Sequence, residues 1–331
     1  MKKQNIYIGN TTNKGIYIFE FKNKKLNFKE STNDFERCTY LSNDINHLYG
    51  VIEIPGTKEE NNGFIVAYKK EKGKLINIDK KSSCGKCPCY IEIDKDNQIV
   101  FVSNYMDGYL TIFDKETVGT FGKKIYSNVN IETVSHAHCT KKLMNNSFFV
   151  SVDLGADLIT AYEVKENQIY EISKIQFEKD TEPRHIAVSK GFIYLVTEKT
   201  CKMYVIKLEN RKLKIVNSVS ILPENIKLEE NFTGCAIKLS KNLKNIYVSV
   251  RGHNSISVFK IKNENVKMIQ NISCKGDVPR DLELDKTNGF VFVANQCSND
   301  VAIFKRNKIN GKLKFLEKQV VIEPTCIIAE Y

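Results

Sequence analysis

The stretch Glu323–Tyr331, EPTCIIAEY, contains one short apolar strand, after which the chain stops. The opposite end of the chain opens with three more strand patterns, NIYIGN from Asn5, GIYIFEF from Gly15 and KLNFKES from Lys25. Short runs rich in β-branched and aromatic residues, bounded by polar turns, are typical of strands. One strand at the end and three at the beginning predict a four-stranded sheet that is shared between the two termini.

The sequence between these ends repeats one plan at intervals of roughly 45 to 51 residues, a period typical of repeat architectures. Each copy has a short apolar strand, a polar turn, a second strand that ends in polar residues, and a third strand. The first strands start near seven positions, which are Cys38, Cys89, His136, Arg184, Cys235, Arg280 and Thr325. A fourth strand usually follows, as in KLKFLEK from Lys312.

Seven four-stranded units predict an all-β fold, a seven-bladed β-propeller with four-stranded antiparallel blades. The last blade would be closed by the N-terminal strands plus the C-terminal strand, which leaves no free sheet edge between the first and last blades. We expect residues 1–331 to form a single propeller domain.

The composition excludes several functional classes. The net charge is +11, but only six of the 50 basic residues are arginines, no run of five basic residues occurs, and basic and aromatic residues do not alternate. This pattern predicts no nucleic-acid partner. The N-terminus has no apolar segment behind its lysines, and no run approaches about 18 apolar residues. We therefore expect no membrane association and a cytoplasmic location.

Three cysteines lie within Cys84–Tyr90, CGKCPCY, where the spacing suggests a metal or redox motif. In the repeat register, however, Cys89 occupies the position of Arg184 and Arg280 in other blades. No fourth Cys or His lies nearby to complete a tetrahedral zinc site. The sequence favours packing cysteines, and we expect no metal.

Polar residues recur at the start of the first strands and at the end of the second strands. The start of the first strand and the end of the second strand lie at the same end of an antiparallel hairpin. Both sets should therefore gather at one mouth of the central channel. The first set is His136, His138, Arg184, His185 and Arg280, and the second is Glu53, Asn104, Asp153, Glu198, Arg251 and Asn295. In a lysine-rich chain, arginines at this mouth suggest a need for the planar guanidinium fork.

Each of these residues also has a structural interpretation. Arg184 and Glu198 face each other across one hairpin and could form a buried ion pair. One of the two histidines, His136 or His138, could cap a turn. Arg280 could bind Asp277 or Asp281, and Arg251 could brace the turn that follows it.

Several signatures in blade order resemble the 6-phosphogluconolactonase propeller family, which also contains the fungal carboxymuconate cycloisomerases. The signatures are CPCYIEID…FVSNY from Cys87, SHAHCT…SVDLGAD from Ser135, EPRHIAV…LVTEK from Glu182, VSVRGHNSISVFKI from Val248 and VPRDLELD…VFVANQCSNDVAIFK from Val278. The resemblance implies a catalytic group of His136, Arg184, Glu198 and Arg251, with His138 as the alternative histidine. The chain departs from the family pattern at ERCTYLSNDINHLYG and TKKLMNNS, which bears on the substrate more than on the fold.

The resemblance implies a lactone hydrolase acting on a small anionic sugar lactone without a cofactor. His136 would accept a proton from water, while Arg184 and Arg251 would bind a phosphate or stabilise the oxyanion. Glu198 would orient an arginine or assist the base. Further substrate contacts would come from His138, His185, Asn104, Asp153, Arg280 and Asn295. Two alternatives remain open, a cycloisomerase acting on a muconate-type lactone and a non-catalytic binding scaffold.

Overall fold

The computed structural model describes residues 3–54, 63–128, 135–143, 147–165 and 168–330. Within these ranges the regular structure consists of 28 strands in seven four-stranded antiparallel sheets. The same ranges hold no helix with the length and apolar character needed to cross a membrane. The predicted seven-bladed β-propeller is confirmed.

The strands follow the blades in chain order. Strands β1 (Gln4–Asn10), β2 (Tyr17–Lys22) and β3 (Lys25–Ser31) come first. Blade 1 contains β4 (Cys38–Asn43), β5 (His47–Ile52), β6 (Phe64–Glu71) and β7 (Lys74–Ser82). Blade 2 contains β8 (Pro88–Asp94), β9 (Ile99–Asn104), β10 (Leu110–Lys115) and β11 (Phe121–Asn128). Blade 3 contains β12 (Ala137–Lys142), β13 (Phe148–Asp153), β14 (Leu158–Lys165) and β15 (Gln168–Gln176).

The second half of the chain repeats this arrangement. Blade 4 contains β16 (Pro183–Ser189), β17 (Phe192–Thr197), β18 (Lys202–Glu209) and β19 (Lys212–Ser220). Blade 5 contains β20 (Thr233–Leu239), β21 (Asn245–Arg251), β22 (Ser255–Lys262) and β23 (Asn265–Ser273). Blade 6 contains β24 (Pro279–Leu284), β25 (Phe290–Asn295), β26 (Asp300–Arg306) and β27 (Leu313–Val320), and β28 (Pro324–Ala329) ends the fold.

The seventh blade is shared between the termini, as the sequence predicts. Strand β28 is its innermost strand and pairs antiparallel with β1, with Ile327 opposite Ile8 and Ile328 opposite Tyr7. Strands β2 and β3 complete the sheet. The ring therefore closes through backbone hydrogen bonds between the two ends of the chain.

The inner strands of the seven blades surround a central channel. Strands β4, β8, β12, β16, β20, β24 and β28 each contact the inner strand of the next blade, and β28 returns to β4. Between neighbouring blades the sheets pack face to face through aromatic and branched side chains, as where Phe21 meets Phe290 and Phe292 edge to face. Because a blade is covered on both faces, a second strand such as β25 is buried at every residue.

All seven first strands carry a β-bulge where they enter the channel. A bulge places two residues opposite one on the partner strand and leaves the extra residue outside the ladder. In blade 4, for example, Pro183 pairs with Thr197 and His185 with Val196, so Arg184 is the extra residue. The equivalent residues, here called the waist ring, are Thr39, Cys89, His138, Arg184, Cys235, Arg280 and Thr325. In blade 5 the irregularity also includes Ala236.

Candidate active site

A narrow cavity of about 20 Å³ lies at the level of the waist ring. Six blades contribute to its wall, which places it on the channel axis. The lining residues are Thr39, Tyr40, Glu53, Cys89, His138, Arg184, His185, Arg280 and Thr325. Polar residues predicted from several separate repeats thus meet in one place.

Glu198 connects two of the predicted arginines. Its Oε1 lies 2.6 Å from Nε of Arg184 and 2.7 Å from Nη2 of Arg251. Arg184 comes from β16 and Arg251 from the end of β21 in the next blade, so one carboxylate joins two blades. The ion pair between Arg184 and Glu198 that the sequence suggests is present, with Arg251 as a second partner.

The two arginines differ in what else they bind. Arg184 is buried, and its Nη1 donates to the carbonyl of Cys235 at 3.0 Å and lies 3.3 Å from Nε2 of His185. The side chain of Arg251 is 18% exposed, and its Nε has no hydrogen-bond partner among the described residues. Arg184 therefore uses its Nε and Nη1 in contacts within the channel wall, whereas the Nε of Arg251 remains available to donate to a ligand.

His136 precedes β12 and is held by its surroundings in one orientation. Its ring stacks on Tyr105, with centroids 4.3 Å apart and planes 3° from parallel. Its Nδ1 lies 2.8 Å from the backbone carbonyl oxygen of Tyr105. Because a carbonyl can only accept, Nδ1 donates and Nε2 carries the lone pair. This is the tautomer that a general base requires.

Asp153 positions the segment that carries His136. Its Oδ1 accepts from the backbone N–H of His136 at 2.8 Å and from that of Ala156 at 3.0 Å, and its other oxygen accepts from the hydroxyl of Ser135. Asp153 was predicted to contact substrate. The structure instead gives it three internal partners, so we infer a positioning role.

His138 and His185 lie deeper in the channel than His136. Both side chains are buried, and their rings contact each other edge to face at 5.1 Å. Burial, with the nearby positive charge of Arg184, lowers the pKa of both imidazoles well below the usual range, so both are neutral at pH 7. His185 also contacts the stacked rings of Tyr40 and Tyr90.

Arg280 lines the cavity, and its guanidinium has no carboxylate partner within the described ranges. Neither Asp277 nor Asp281, the two predicted acidic partners, binds its side chain. Asp281 accepts from the backbone N–H of Ile327, and Asp277 accepts from the side chain of Asn254. Its one side-chain hydrogen bond there is a long one from Nη1 to Gln296, at 3.4 Å. Burial and the neighbouring Arg184 lower the pKa of Arg280.

Asn104 and Asn295 were predicted to contact substrate. Both are fully buried, and neither is among the residues that line the cavity. Asn104 donates to the carbonyl of Tyr109 and the hydroxyl of Thr111, and Asn295 donates to Asp300 at 2.7 Å. Because these contacts lie within their own blades, we infer that both side chains brace the turn that follows.

Two residues of this region, Tyr105 and Thr39, were not predicted from the sequence. Tyr105 directly follows the predicted strand end at Asn104, so its position at the channel mouth could have indicated that it belongs to the site. Thr39 was missed because the repeat was aligned on Cys38, whereas the bulge places the next residue in the channel.

The thiols of the CGKCPCY segment contact carbonyl groups. Sγ of Cys87 lies 3.4 Å from the carbonyl oxygen of Ile54, and Sγ of Cys89 lies 3.4 Å from that of Ala137. Burial raises the pKa of the Cys89 thiol, which disfavours the thiolate that binds metals. Among the described residues, no three His, Cys, Asp or Glu side chains are grouped to hold a metal ion.

Comparison with known proteins agrees with this arrangement. The family model described as "Lactonase, 7-bladed beta-propeller" matches residues 5–329. The chain is 26% identical to a 6-phosphogluconolactonase of Bacillus subtilis, over 97% of both chains. A solved structure from Lactobacillus plantarum matches with a TM-score of 0.88 and 26% identity over 99% of both chains. The periplasmic gluconolactonase of Pseudomonas aeruginosa has the same fold, with a TM-score of 0.88 and 21% identity over 99% of both chains. The chain belongs to the lactonase family of seven-bladed β-propellers.

Proposed function

We propose that this lactone hydrolase opens a phosphorylated sugar lactone, 6-phosphogluconolactone or a close relative, to the free acid. The observation that carries the proposal is the group of three guanidinium ions, Arg184, Arg251 and Arg280, around one channel mouth. They face Glu198 and Glu53, and Glu53 is itself 3.8 Å from Arg37. The mouth is therefore positively charged, which suits a substrate with an anionic group. The name of the Bacillus subtilis relative supports the same substrate class.

The chemistry follows from the tautomer of His136. Nε2 accepts a proton from a water molecule while the water oxygen forms a bond to the lactone carbonyl carbon. The carbonyl electron pair moves onto its oxygen, and the resulting negative charge is stabilised by guanidinium donors. When the tetrahedral intermediate collapses, the bond to the ring oxygen breaks. The imidazolium then returns its proton to that oxygen, which leaves a hydroxyl and a carboxylic acid that loses its proton to the solvent.

Within the arginine group, the contacts support different roles. Arg251 has a buried, unpartnered Nε in a side chain that is 18% exposed, so we assign it to the substrate's phosphate or to the developing oxyanion. Arg184 is bonded through Nε to Glu198 and through Nη1 to the carbonyl of Cys235, so we assign it to positioning Glu198 and only indirectly Arg251. Glu198 orients both.

We further propose that the protein acts in the cytoplasm. All ten cysteines are free thiols in this fold, including the exposed Cys297, and free thiols suit a reducing compartment. Fractionation of the native cells, followed by immunodetection, would test this location. Recovery in an exported fraction would contradict it.

The test is a lactone-hydrolysis assay corrected for spontaneous ring opening. We expect turnover of 6-phosphogluconolactone with a higher kcat/KM than that of unphosphorylated gluconolactone. Faster turnover of a muconate-type lactone would support the cycloisomerase alternative. If none of the three lactones is turned over faster than in buffer, the hydrolase proposal is wrong for these substrates and a binding scaffold is favoured.

A further inference from the structure

Four members of the waist ring bind the main chain of the next blade. Each donates from its side chain to the backbone carbonyl of the following ring member. The donations run from Thr325 to Thr39 at 2.8 Å, from Cys89 to His138 at 3.7 Å, from Arg184 to Cys235 at 3.0 Å and from Cys235 to Arg280 at 3.1 Å. These side chains hold neighbouring blades together.

The remaining three members, Thr39, His138 and Arg280, make no such donation. Oγ1 of Thr39 and Nδ1 of His138 are buried and have no hydrogen-bond partner among the described residues. Arg280 makes only its long bond to Gln296 there. Buried polar groups are nearly always satisfied, so two unsatisfied ones at equivalent positions, beside a guanidinium with a single long bond, call for a ligand atom. All three line the same 20 Å³ cavity.

The size and chemistry of the cavity limit what can enter. A cavity of about 10 to 15 Å³ on this measure already holds one water molecule, so 20 Å³ admits one oxygen atom but not a whole phosphate group. A threonine hydroxyl and a guanidinium both donate hydrogen bonds. Neutral His138 can donate from Nδ1 as well. An electron-rich oxygen is the ligand atom that satisfies all three groups.

We propose that Thr39, His138 and Arg280 form an oxygen-binding subsite on the channel axis. It takes the lactone carbonyl oxygen, which becomes the oxyanion during ring opening and a carboxylate oxygen in the product. The subsite rests on the proposed function for the identity of its ligand. In this arrangement the reacting oxygen is bound by Arg280, and the phosphate is bound at the outer mouth by Arg251.

A pair of threonine variants tests the subsite, because Thr39 lines the cavity and Thr111 is buried in β10, the third strand of blade 2. Thr39→Val removes an unsatisfied hydroxyl and keeps the shape of the side chain. We expect kcat/KM for 6-phosphogluconolactone to fall by about 10-fold to 100-fold, with an unchanged Tm. Thr111→Val instead removes a hydroxyl that accepts a hydrogen bond from the side chain of Asn104. We expect its Tm to fall while kcat/KM stays near that of the wild type.

Binding of gluconate, measured by calorimetry, provides a readout that does not need turnover. We expect Thr39→Val and Arg280→Lys each to weaken gluconate binding roughly 10-fold, and Thr111→Val to leave it unchanged. In a crystal soaked with 6-phosphogluconate, one carboxylate oxygen should lie within hydrogen-bond distance of Thr39 Oγ1 and Arg280.

The outcomes separate the two proposals. If gluconate binds as expected but no lactone is hydrolysed, the proposed function is wrong and the subsite stands. If lactone is hydrolysed and Thr39→Val matches the wild type in both kcat/KM and gluconate binding, the subsite is wrong and the function stands. A carboxylate located only at the outer mouth, or no gluconate binding by the wild type, also overturns the subsite.

Discussion

Arg184 and Glu198 face each other across the first hairpin of blade 4, with Nε and Oε1 2.6 Å apart. The two residues are not equivalent within this pair. Glu198 is also bound by Arg251 from the next blade, whereas Arg184 has no second carboxylate in the described ranges. Loss of the carboxylate therefore leaves two guanidinium ions facing each other, and loss of Arg184 still leaves Glu198 paired.

This asymmetry predicts unequal effects on stability. Glu198→Gln should lower the free energy of unfolding by about 3 to 5 kcal/mol, the range for removing one partner of a buried ion pair. Arg184→Ala should cost about 1 to 3 kcal/mol, chiefly from the unsatisfied Cys235 carbonyl. Denaturant unfolding measures both. A larger loss for Arg184→Ala would contradict the bridging role of Glu198.

Arg251→Lys should reduce activity with little change in stability. Lysine keeps the charge but loses the planar fork that serves Glu198 and a ligand together. We expect kcat/KM for 6-phosphogluconolactone to fall by the equivalent of about 2 to 4 kcal/mol, with Tm nearly unchanged. Arg211→Lys is the control, since Arg211 is exposed and pairs with Glu163 away from the channel. Equal activity in the two variants would remove Arg251 from the proposed site.

His136→Gln should lower kcat by about 100-fold or more, because a general base contributes roughly 10²- to 10⁴-fold. The fold should persist, since the backbone N–H of residue 136 still binds Asp153. His253→Gln provides a comparison, as this other histidine bonds Ser255 and packs on Phe232. If His136→Gln retained kcat while His138→Gln lost it, the deeper histidine would be the base.

Acid should destabilise the protein through His138 and His185. Their folded pKa values lie below the unfolded value of about 6.5. The unfolded chain therefore binds more protons once the pH falls below 6.5, and stability is lost in that direction. Each histidine contributes up to about 1.4 kcal/mol per pH unit there. Unfolding measured from about pH 7.5 to 5 should show this slope, reduced in His185→Phe and retained in His253→Gln. A slope that His185→Phe leaves unchanged would contradict the assignment.

Removal of residues 324–331 should prevent stable folding. The deletion takes away β28, which leaves one edge of β1 unpaired and uncovers Ile6, Ile8 and the inner face of blade 7. We expect an insoluble product or a strongly lowered Tm, compared with a chain that lacks residue 331 alone. A deletion variant that melts like the wild type would show that closure by β28 is dispensable.

The blade count and the split blade could be predicted because strand spacing and the incomplete repeat are local properties of the sequence. The pairing of Arg184 with Glu198 could be predicted because both lie in one hairpin. The sharing of Glu198 with Arg251 could not, since contacts between blades depend on how the ring closes. The orientation of Asn104 and Asn295 could not be predicted either. A blade is buried on both faces, so the alternation of side chains along a strand does not reveal which of them face the channel.

His136 and His138 show a further limit of periodicity. They are two residues apart, so a regular strand would point both in the same direction. The bulge at His138 breaks this equivalence and places His138 with Arg184 in the ring, while His136 stays nearer the mouth. A one-residue bulge has no strong signature in a single sequence, so the sequence left the choice between these histidines open.

The repeated bulge also affects how such a protein can evolve. A bulged residue lies outside the ladder, so its replacement leaves every backbone pair on either side in register. At Thr39, His138 and Arg280, whose side chains do not hold the next blade, a mutation can therefore alter the chemistry of the channel with little effect on architecture. Substrate preference can change through these three positions, and directed evolution toward a new lactone should randomise these three codons first.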